Sequence, residues 1–330
     1  MPFEKEFLTY LIDTNKNISV ISAYNGVSLY NYDKKFNLHS SAKIISGTQT
    51  FIDSYFNIDS NNNIYGLINS KKGSLIYTYI NEYSIIKTTL IKLTSRYKCI
   101  KCPYIRKINN TIHIFYYLVN TAKTNTCSLF HHFFNGHNWI NSKISDINYF
   151  LLTNFVVLWN NNIPTIFFLK KVKNCSEVFV ASYDTLTNTW LSPYAITNTK
   201  KEKVYLSVIC KNDLYHITYA ESNNNKYYCI YFNGAFSNNT FNKLSNYTHI
   251  NRHAVCSFPT LISQNSNIFL QWVENNELLS RKYNDSNNTW SDIFNNPEVS
   301  DLSFYRCQKN LNSKDDCIFF GYKNSIVPII

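Results

Sequence analysis

The stretch Thr111-Ile112-His113-Ile114-Phe115 is a polar residue followed by alternating side chains, the pattern of a short strand that begins at a turn. The same pattern returns about every fifty residues, a period typical of propellers and repeat arrays. The other copies lie at 17–21, 63–67, 163–167, 213–217, 267–271 and 316–320. The chain is therefore a sevenfold repeat, and the repeat predicts its architecture.

A second motif follows most copies: a strand, a short turn rich in Asn, Asp and Gly, and an aromatic residue that opens the next strand. Such turns tolerate positive φ and close a β-hairpin. The opening aromatics are Tyr83, Trp139, Trp190, Phe241 and Trp290. We expect them to pack against the neighbouring repeat. Each period then contains four short strands, which is the content of one propeller blade.

The predicted fold is all-β: a single-domain, seven-bladed β-propeller of four-stranded antiparallel blades over residues 1–330. The predicted blades span 7–46, 51–94, 100–146, 154–198, 204–247, 257–297 and 302–330. The last blade is one strand short. We expect residues 2–6 to supply this strand, so that the N- and C-terminal segments close the ring and leave no open sheet edge. A solenoid or tandem β-sandwiches would explain neither the four-strand period nor the incomplete blade.

The composition is typical of a β-protein with many turns. Of the 330 residues, 45% are hydrophobic, 16% are aromatic and 16% are charged, and there are only 7 Gly and 7 Pro. This much apolar surface excludes a disordered chain, and so little Gly and Pro excludes collagen-like or linker proteins. The 26 Tyr and 23 Phe favour strands over a helical bundle.

The sequence indicates no metal, cofactor or membrane span. The nine cysteines are widely spread, and Cys99 and Cys102 have no second pair at zinc-site spacing, so we expect free thiols in a reducing compartment. His113 and His216 alternate with apolar neighbours, which predicts core positions. Residues 1–6 lack the start of a secretory signal. This favours a cytoplasmic protein, with export by a signal-independent route as the alternative.

One turn resembles a known motif. The stretch Tyr283-Asn284-Asp285-Ser286-Asn287-Asn288-Thr289-Trp290 resembles the Asp-box, Ser-x-Asp-x-Gly-x-Thr-Trp, of sialidase-like (BNR-type) propellers. The match covers Asp285, Thr289 and Trp290, with Asn where Gly is usual and Tyr where Ser is usual. A similar but longer box lies at 182–190. The resemblance implies a hairpin between the third and fourth strands of a blade, with a structural rather than a catalytic role.

The resemblance also raises the alternative of a sialidase-like glycoside hydrolase. Such an enzyme would need an arginine cluster for a carboxylate, a Tyr/Glu pair and an acidic Asp. Arg106 and Arg306 fall on first strands, and Arg252 lies just before another first strand. The acidic residues, however, lie mostly in turns, where their usual role is to cap the backbone. We therefore favour a protein that is not an enzyme.

The net charge of +11 is carried mainly by lysine. In a propeller, the loops between second and third strands and the loops between blades open on one face. These loops carry lysines such as Lys200, Lys201 and Lys203. The predicted ligand-binding residues are Arg106, Lys170, Lys171, Arg252, His253 and Arg306. A basic face favours anionic partners such as acidic glycans or wall polymers, and the absence of any nucleic-acid motif makes nucleic acid the least favoured. The alternative is that the lysines reflect AT-rich codons.

The sequence thus predicts a non-catalytic binding or scaffold propeller with lectin-like recognition of a glycan, an anionic polymer or a protein partner. Exposed Asn supplies paired donors and acceptors, and Tyr supplies a stacking face. The alternatives are the glycoside hydrolase and an assembly protein with no small ligand. The oligomeric state and the identity of the ligand are left open by the sequence.

Overall fold

A computed structural model of the chain contains two compact units, one of Met1–Lys143 with Leu302–Ile329 and the other of Ile144–Asp301 with Ile330. The structure describes residues 7–23, 26–47, 53–70, 73–81, 83–93, 98–123, 125–149, 151–253, 255–275, 277–295, 304–311, 317–322 and 326–329. All 29 elements in these ranges are β-strands. None of the described segments is a helix long and apolar enough to cross a membrane.

The first three sheets have four long strands that pair in sequence order, each antiparallel to the next. The first sheet contains β1 (Phe7–Ile12), β2 (Ile18–Ser22), β3 (Gly26–Tyr32) and β4 (Leu38–Ser46). The second contains β5 (Ser54–Ile58), β6 (Ile64–Asn69), β7 (Ser74–Ile80) and β8 (Ile85–Lys92). The third contains β9 (Lys98–Ile108), β10 (Thr111–Asn120), β11 (Thr126–Phe134) and β12 (Trp139–Asn148).

The next three sheets have a short fourth strand, and a further short strand also pairs with the third. The fourth sheet contains β13 (Val156–Asn160), β14 (Ile163–Val172), β15 (Cys175–Asp184), β16 (Thr189–Trp190) and β17 (Tyr194–Ala195). The fifth contains β18 (Lys203–Lys211), β19 (Leu214–Asn223), β20 (Lys226–Ser237), β21 (Thr240–Lys243) and β22 (Thr248–His249). The sixth contains β23 (Ser257–Gln264), β24 (Asn267–Glu274), β25 (Glu277–Asn284), β26 (Thr289–Trp290) and β27 (Phe294–Asn295).

The fold is an all-β propeller with four-stranded antiparallel blades, as predicted, but it has six blades and the prediction of seven is wrong. The last two strands, β28 (Phe304–Leu311) and β29 (Cys317–Tyr322), extend the first sheet, because β28 pairs in parallel with β1. A lone two-stranded hairpin is only marginally stable, and the edge of β1 supplies the missing hydrogen bonds. The N- and C-terminal segments therefore meet through β1 and β28. The predicted strand at 2–6 lies outside the described residues.

The hydrophobic cores lie between consecutive sheets. In the first unit, one cluster joins the first and second sheets around Phe56, and another joins the second and third around Tyr65. In the second unit, one cluster joins the fourth and fifth sheets around Phe232, and another joins the fifth and sixth around Trp272. The aromatic surplus of the sequence is therefore placed in packing between sheets, where large side chains bury the most area.

The aromatics that open the fourth strands take different positions. Phe241 is buried and contacts a Phe ring of the preceding sheet, and the half-buried Trp290 contacts a Tyr ring of the preceding sheet. Trp190 contacts a Tyr ring of its own third strand. Trp139 is 40% exposed. Phe241 and Trp290 therefore pack against the neighbouring repeat, as expected, whereas Tyr83 is 87% exposed.

Candidate functional site

In the unit of residues 144–301, the loops between second and third strands lie beside the segments that enter the first strands. The Lys200 N–H donates to Glu177 Oε1 (2.8 Å), and the Cys256 N–H donates to the carbonyl oxygen of Tyr227 (3.0 Å). These contacts bring several loops to one end of the sheets. We call this end the lysine edge; it comprises residues 170–177, 197–203, 221–227, 250–253, 255–257, 274–275 and 277.

A buried ionic cluster lies within the lysine edge. The Lys203 side chain is 0% exposed, and its Nζ lies 2.8 Å from Glu177 Oε2 and 3.5 Å from Glu221 Oε2. The same Nζ donates to the carbonyl oxygen of Ser176 (2.8 Å) and to Thr199 Oγ1 (2.7 Å). Because an ammonium group has three donors and no acceptor, these oxygens satisfy it completely. One buried cation thus holds two carboxylates.

The same cluster keeps Glu177 ionised. Burial raises the pKa of its carboxyl group, but hydrogen bonds from Lys203 Nζ, Thr197 Oγ1 and the Lys200 N–H outweigh burial and hold the pKa below its ordinary value. A carboxylate held in this way is a poor proton donor at neutral pH, since a general acid needs a pKa near the working pH. The geometry of Glu177 therefore indicates a structural role.

Two further carboxylates of the lysine edge also bind their neighbours. Glu274 is 1% exposed and accepts hydrogen bonds from Trp272 Nε1 (2.8 Å) and from the backbone N–H of His253 (2.5 Å). Glu202 accepts a hydrogen bond from the Tyr227 hydroxyl (2.9 Å). Burial and this bond raise the pKa of Tyr227 to about 12. The Tyr227 phenol therefore stays protonated and acts as a donor rather than a nucleophile.

Apart from the buried Lys203, the cations of the lysine edge are more exposed than its carboxylates. Lys173, Lys200, Lys226 and Arg252 are exposed, and Lys170, Lys171 and Lys201 are half-buried. By contrast, Glu177, Glu221 and Glu274 are buried. The two remaining carboxylates of the lysine edge are Glu202, which is half-buried, and Glu277, which is exposed. Burial thus removes three carboxylates from the surface of the lysine edge but only one cation, Lys203. The exposed surface is therefore more basic than the residue content of the edge alone would indicate.

Four of the six predicted ligand-binding residues lie on the lysine edge. Lys170 and Lys171 lie in the last three residues of β14, and Lys170 Nζ donates to Ser145 Oγ (3.2 Å). Arg252 and His253 are exposed in the segment between β22 and β23. The structure therefore places these two pairs of side chains at the same end of one unit.

The other two predicted residues belong to the other unit. Arg106 is half-buried on β9 opposite His113, and Arg306 is half-buried on β28 opposite Phe320. They lie on different sheets. That Arg106, Arg252 and Arg306 share one pocket stays a prediction.

Sequence reasoning misplaced one residue of the edge and missed others. Lys203 was expected among the exposed loop lysines, but it is buried because two carboxylates surround it. Glu177 and Glu221 were not identified as its partners. A signal was present, since both Glu residues occupy strand ends on the loop side of consecutive sheets, and Glu221 lies directly opposite Lys203 across two paired strands.

The cysteines and histidines form no metal centre in the part of the chain that the structure describes. No group of three His, Cys, Asp or Glu side chains there could hold a metal ion. All nine cysteines are free thiols.

No protein-family model and no curated protein matches this sequence. Solved structures do share the fold. A polysaccharide lyase of family PL25, ulvan lyase, has a TM-score of 0.62 at 10% identity over 95% of this chain and 88% of that chain. The same kind of lyase is known bound to -[GlcA(1-4)Rha3S]- (TM-score 0.61, 10% identity, 95% of this chain and 88% of that chain). The GH93 α-L-arabinofuranosidase of Fusarium graminearum with arabinobiose has a TM-score of 0.53 at 10% identity over 82% of this chain and 92% of that chain. At such identities the likeness shows the fold alone.

Proposed function

We propose that the chain binds an acidic polysaccharide along the lysine edge. The observation that carries this proposal is the sorting of charge by burial: the cations Lys173, Lys200, Lys226 and Arg252 face solvent, while three of the carboxylates are buried. A row of exposed cations attracts a polyanion, and repeated charges on one polymer can engage several of them at once.

The chemistry of the glycans named for the similar structures supports the choice of ligand. The lyase complex contains the -[GlcA(1-4)Rha3S]- repeat, whose uronate and sulfate groups are anionic. Exposed guanidinium and ammonium groups suit such anions, and an arginine such as Arg252 can hold a carboxylate with two parallel hydrogen bonds. Binding of a glycan rather than of nucleic acid is therefore the function that we propose, and a protein partner stays a prediction from the sequence.

Cleavage of the bound glycan is the second candidate, because solved structures with this fold include a lyase and an arabinofuranosidase. The carboxylates of the lysine edge do not favour it. Glu177 and Glu221 bind Lys203, and Glu202 binds Tyr227, so each is engaged in the folded protein. Binding without cleavage therefore comes first in the proposal.

The test compares two double charge reversals that change the net charge equally. Lys173→Glu with Lys226→Glu alters the lysine edge, whereas Lys34→Glu with Lys35→Glu alters an exposed pair between β3 and β4. We expect the wild-type protein to bind oligosaccharides of the GlcA–Rha3S repeat. At low salt the first variant should bind about tenfold more weakly or worse, and high salt should reduce this difference. The control variant should keep most of the affinity.

Two results would overturn the proposal: no binding of acidic oligosaccharides by the wild-type protein, or an equal loss of affinity in the two variants. A nucleic acid of matched charge serves as a second ligand, and tighter binding to it would replace the glycan as partner. The same mixtures, analysed for shortened chains after incubation, separate binding from cleavage. Shortening that requires the intact protein would make cleavage the function.

A further inference from the structure

Three first strands share a backbone irregularity near the end at which they begin. β9, β18 and β23 each contain a β-bulge against the second strand, and each bulge contains a residue with positive φ: Cys102 (52°), Tyr205 (59°) and Phe258 (52°). Positive φ is uncommon outside Gly and is a strained choice for a bulky residue. Bulges of this kind redirect a side chain and often lie beside binding sites.

The three redirected side chains differ in exposure. Cys102 and Phe258 are 6% and 7% exposed, so their bulges turn them into the core. Tyr205 is half-buried, and its ring lies on that of Phe258 with centroids 4.5 Å apart. The same backbone device therefore leaves one aromatic ring partly open to solvent at the lysine edge.

A second half-buried ring lies close by. Tyr227 packs on the same core cluster as Tyr205, and its backbone bridges to Val255, which is 53% exposed. We call Tyr227 and Tyr205, the latter backed by the ring of Phe258, the tyrosine platform. Core packing explains the buried face of the platform. It does not explain why the backbone is strained at Tyr205, whose ring stays partly exposed.

A carboxylate is fixed beside the platform. The Tyr227 hydroxyl donates to Glu202 Oε1 (2.9 Å), and Glu202 is half-buried. A carboxylate has about four acceptor positions, and this bond uses one of them. Arg252, which is exposed, comes from the segment whose Cys256 N–H donates to the carbonyl oxygen of Tyr227. An aromatic face, an acceptor and a cation are thus grouped beside the lysine edge.

We infer that the tyrosine platform is a sugar-ring subsite: the apolar face of one sugar ring stacks on Tyr205 and Tyr227 while its hydroxyls donate to Glu202. This inference rests on the proposed function and names where a single sugar residue is held. Tyr presents a flat apolar body with a polar tip, which suits a ring that has an apolar face and a hydroxyl rim. Stacking needs no charge, so this part of the affinity does not depend on salt, unlike the attraction of the surrounding lysines.

The test measures affinity for the acidic GlcA–Rha3S oligosaccharide and for neutral arabinobiose, each at low and at high salt. Tyr205→Asn removes the ring and keeps a residue that tolerates positive φ, so the fold should persist. Tyr227→Phe keeps the ring and removes only the hydroxyl. Tyr228→Leu is the matched control, since Tyr228 is half-buried on the same strand but points to the opposite face of the sheet.

We expect Tyr205→Asn to weaken both probes about tenfold at either salt concentration, with an unchanged salt dependence. Tyr227→Phe should have a smaller effect, and Tyr228→Leu should match the wild-type protein. Unchanged affinity of Tyr205→Asn for both probes would overturn the inference, provided that circular dichroism shows the variant folded.

The outcomes separate this inference from the proposed function. If Lys173→Glu with Lys226→Glu weakens acidic binding while Tyr205→Asn does not, the platform fails and the proposed function stands. If only arabinobiose binds, and Tyr205→Asn abolishes it, the platform stands and the acidic-glycan proposal fails. Absence of binding to either probe overturns both.

Discussion

Lys101 and Lys203 lie at the start of two first strands, and each binds a carboxylate of the preceding sheet. Lys101 Nζ lies 2.6 Å from Asp53 Oδ1, directly before the second sheet, and Lys203 Nζ lies 2.8 Å from Glu177 Oε2 in the fourth. The first pair is partly exposed, with side chains 28% and 12% accessible, whereas the Lys203 cluster is closed to solvent at 0% and 5%. The repeat thus places a similar contact in both units and buries it in only one.

The contribution of an ion pair to stability therefore depends on its surroundings. Exposed pairs gain little, because water screens the charges and long side chains lose freedom. A buried lysine between two carboxylates is different, because removing it leaves negative charge in a medium that solvates it poorly. Removing one partner should therefore lower the stability of the protein far more in the buried Lys203 cluster than in the Lys101 pair.

The largest predicted effect compares Lys203→Met with Lys101→Met. We expect Lys203→Met to lower the free energy of unfolding by about 3–5 kcal/mol, since Glu177 and Glu221 would be left buried without their cation. Lys101→Met should cost less, because the Lys101 side chain is 28% accessible and water can replace part of its contact with Asp53. Urea denaturation of both variants against the wild-type protein measures the difference.

A triple variant sharpens this prediction. Replacing Lys203 by Met together with Glu177→Gln and Glu221→Gln removes all three charges, and much of the lost stability should return. If Lys203→Met lowers the free energy of unfolding no more than Lys101→Met does, burial does not determine the contribution of these ion pairs, and the prediction is wrong.

Local features of this fold could be predicted from the sequence. Asn was predicted to stand in for Gly at the turns, and it accounts for 14 of the 23 described non-glycine residues with positive φ. His113 and His216 were predicted to be core residues and are 6% and 1% exposed. Such features depend on a few neighbouring residues, which the sequence contains in full.

The pairing of distant segments could not be predicted in the same way. Periodicity marks β28 and β29 as strands but does not say which edge they will bond, so the prediction counted a seventh blade. Lys203 follows two other lysines in a loop and looked exposed. Its burial depends on Glu177 and Glu221, which lie on two other strands and become its neighbours only after folding.

The second prediction extends the comparison to buried histidines in the two units. Burial lowers the pKa of His113 in the third sheet to about 4, with Arg106 adding to the effect, and burial likewise lowers the pKa of His216 in the fifth sheet to about 4. Between about pH 6.5 and pH 4 these histidines bind protons in the unfolded chain but stay neutral in the folded chain. Stability should therefore fall as the pH falls through this window, by up to about 3 kcal/mol for each histidine.

His113→Gln and His216→Gln test this point, because Gln keeps hydrogen-bonding groups and does not titrate. Urea denaturation at about pH 7 and about pH 4.5 should show a smaller loss of stability in each variant than in the wild-type protein. The partners differ: His113 Nδ1 lies 3.1 Å from His131 Nε2, and His216 Nδ1 lies 2.7 Å from the Tyr231 hydroxyl. A pH response that only one variant reduces would show that the two histidines do not contribute alike.

The smallest predicted effect concerns two glycines that each lie under an aromatic ring. A Cβ on Gly66 would lie 2.3 Å from a Phe56 ring carbon, and a Cβ on Gly234 would lie 2.4 Å from a Phe241 ring carbon. Both would also meet a backbone oxygen of the paired strand, at 2.6 Å and 2.5 Å respectively. Neither glycine has the positive φ that would by itself demand Gly. Space rather than backbone conformation therefore explains both.

The sign of the effect of Gly66→Ala and Gly234→Ala decides between these causes. Where a glycine is not needed, alanine stabilises a protein by about 0.4–1 kcal/mol through the unfolded chain. Overpacking instead costs about 1–3 kcal/mol, and we expect this loss for both variants in thermal and urea denaturation. Adding Phe56→Leu or Phe241→Leu should make the alanine less harmful, but only in part, because the backbone oxygen cannot move away without shifting the strand. A stabilising alanine at either position would show that the sheet there can shift to make room for the added methyl group. If only one of the two alanines is stabilising, the two units differ in packing as well as in charge burial.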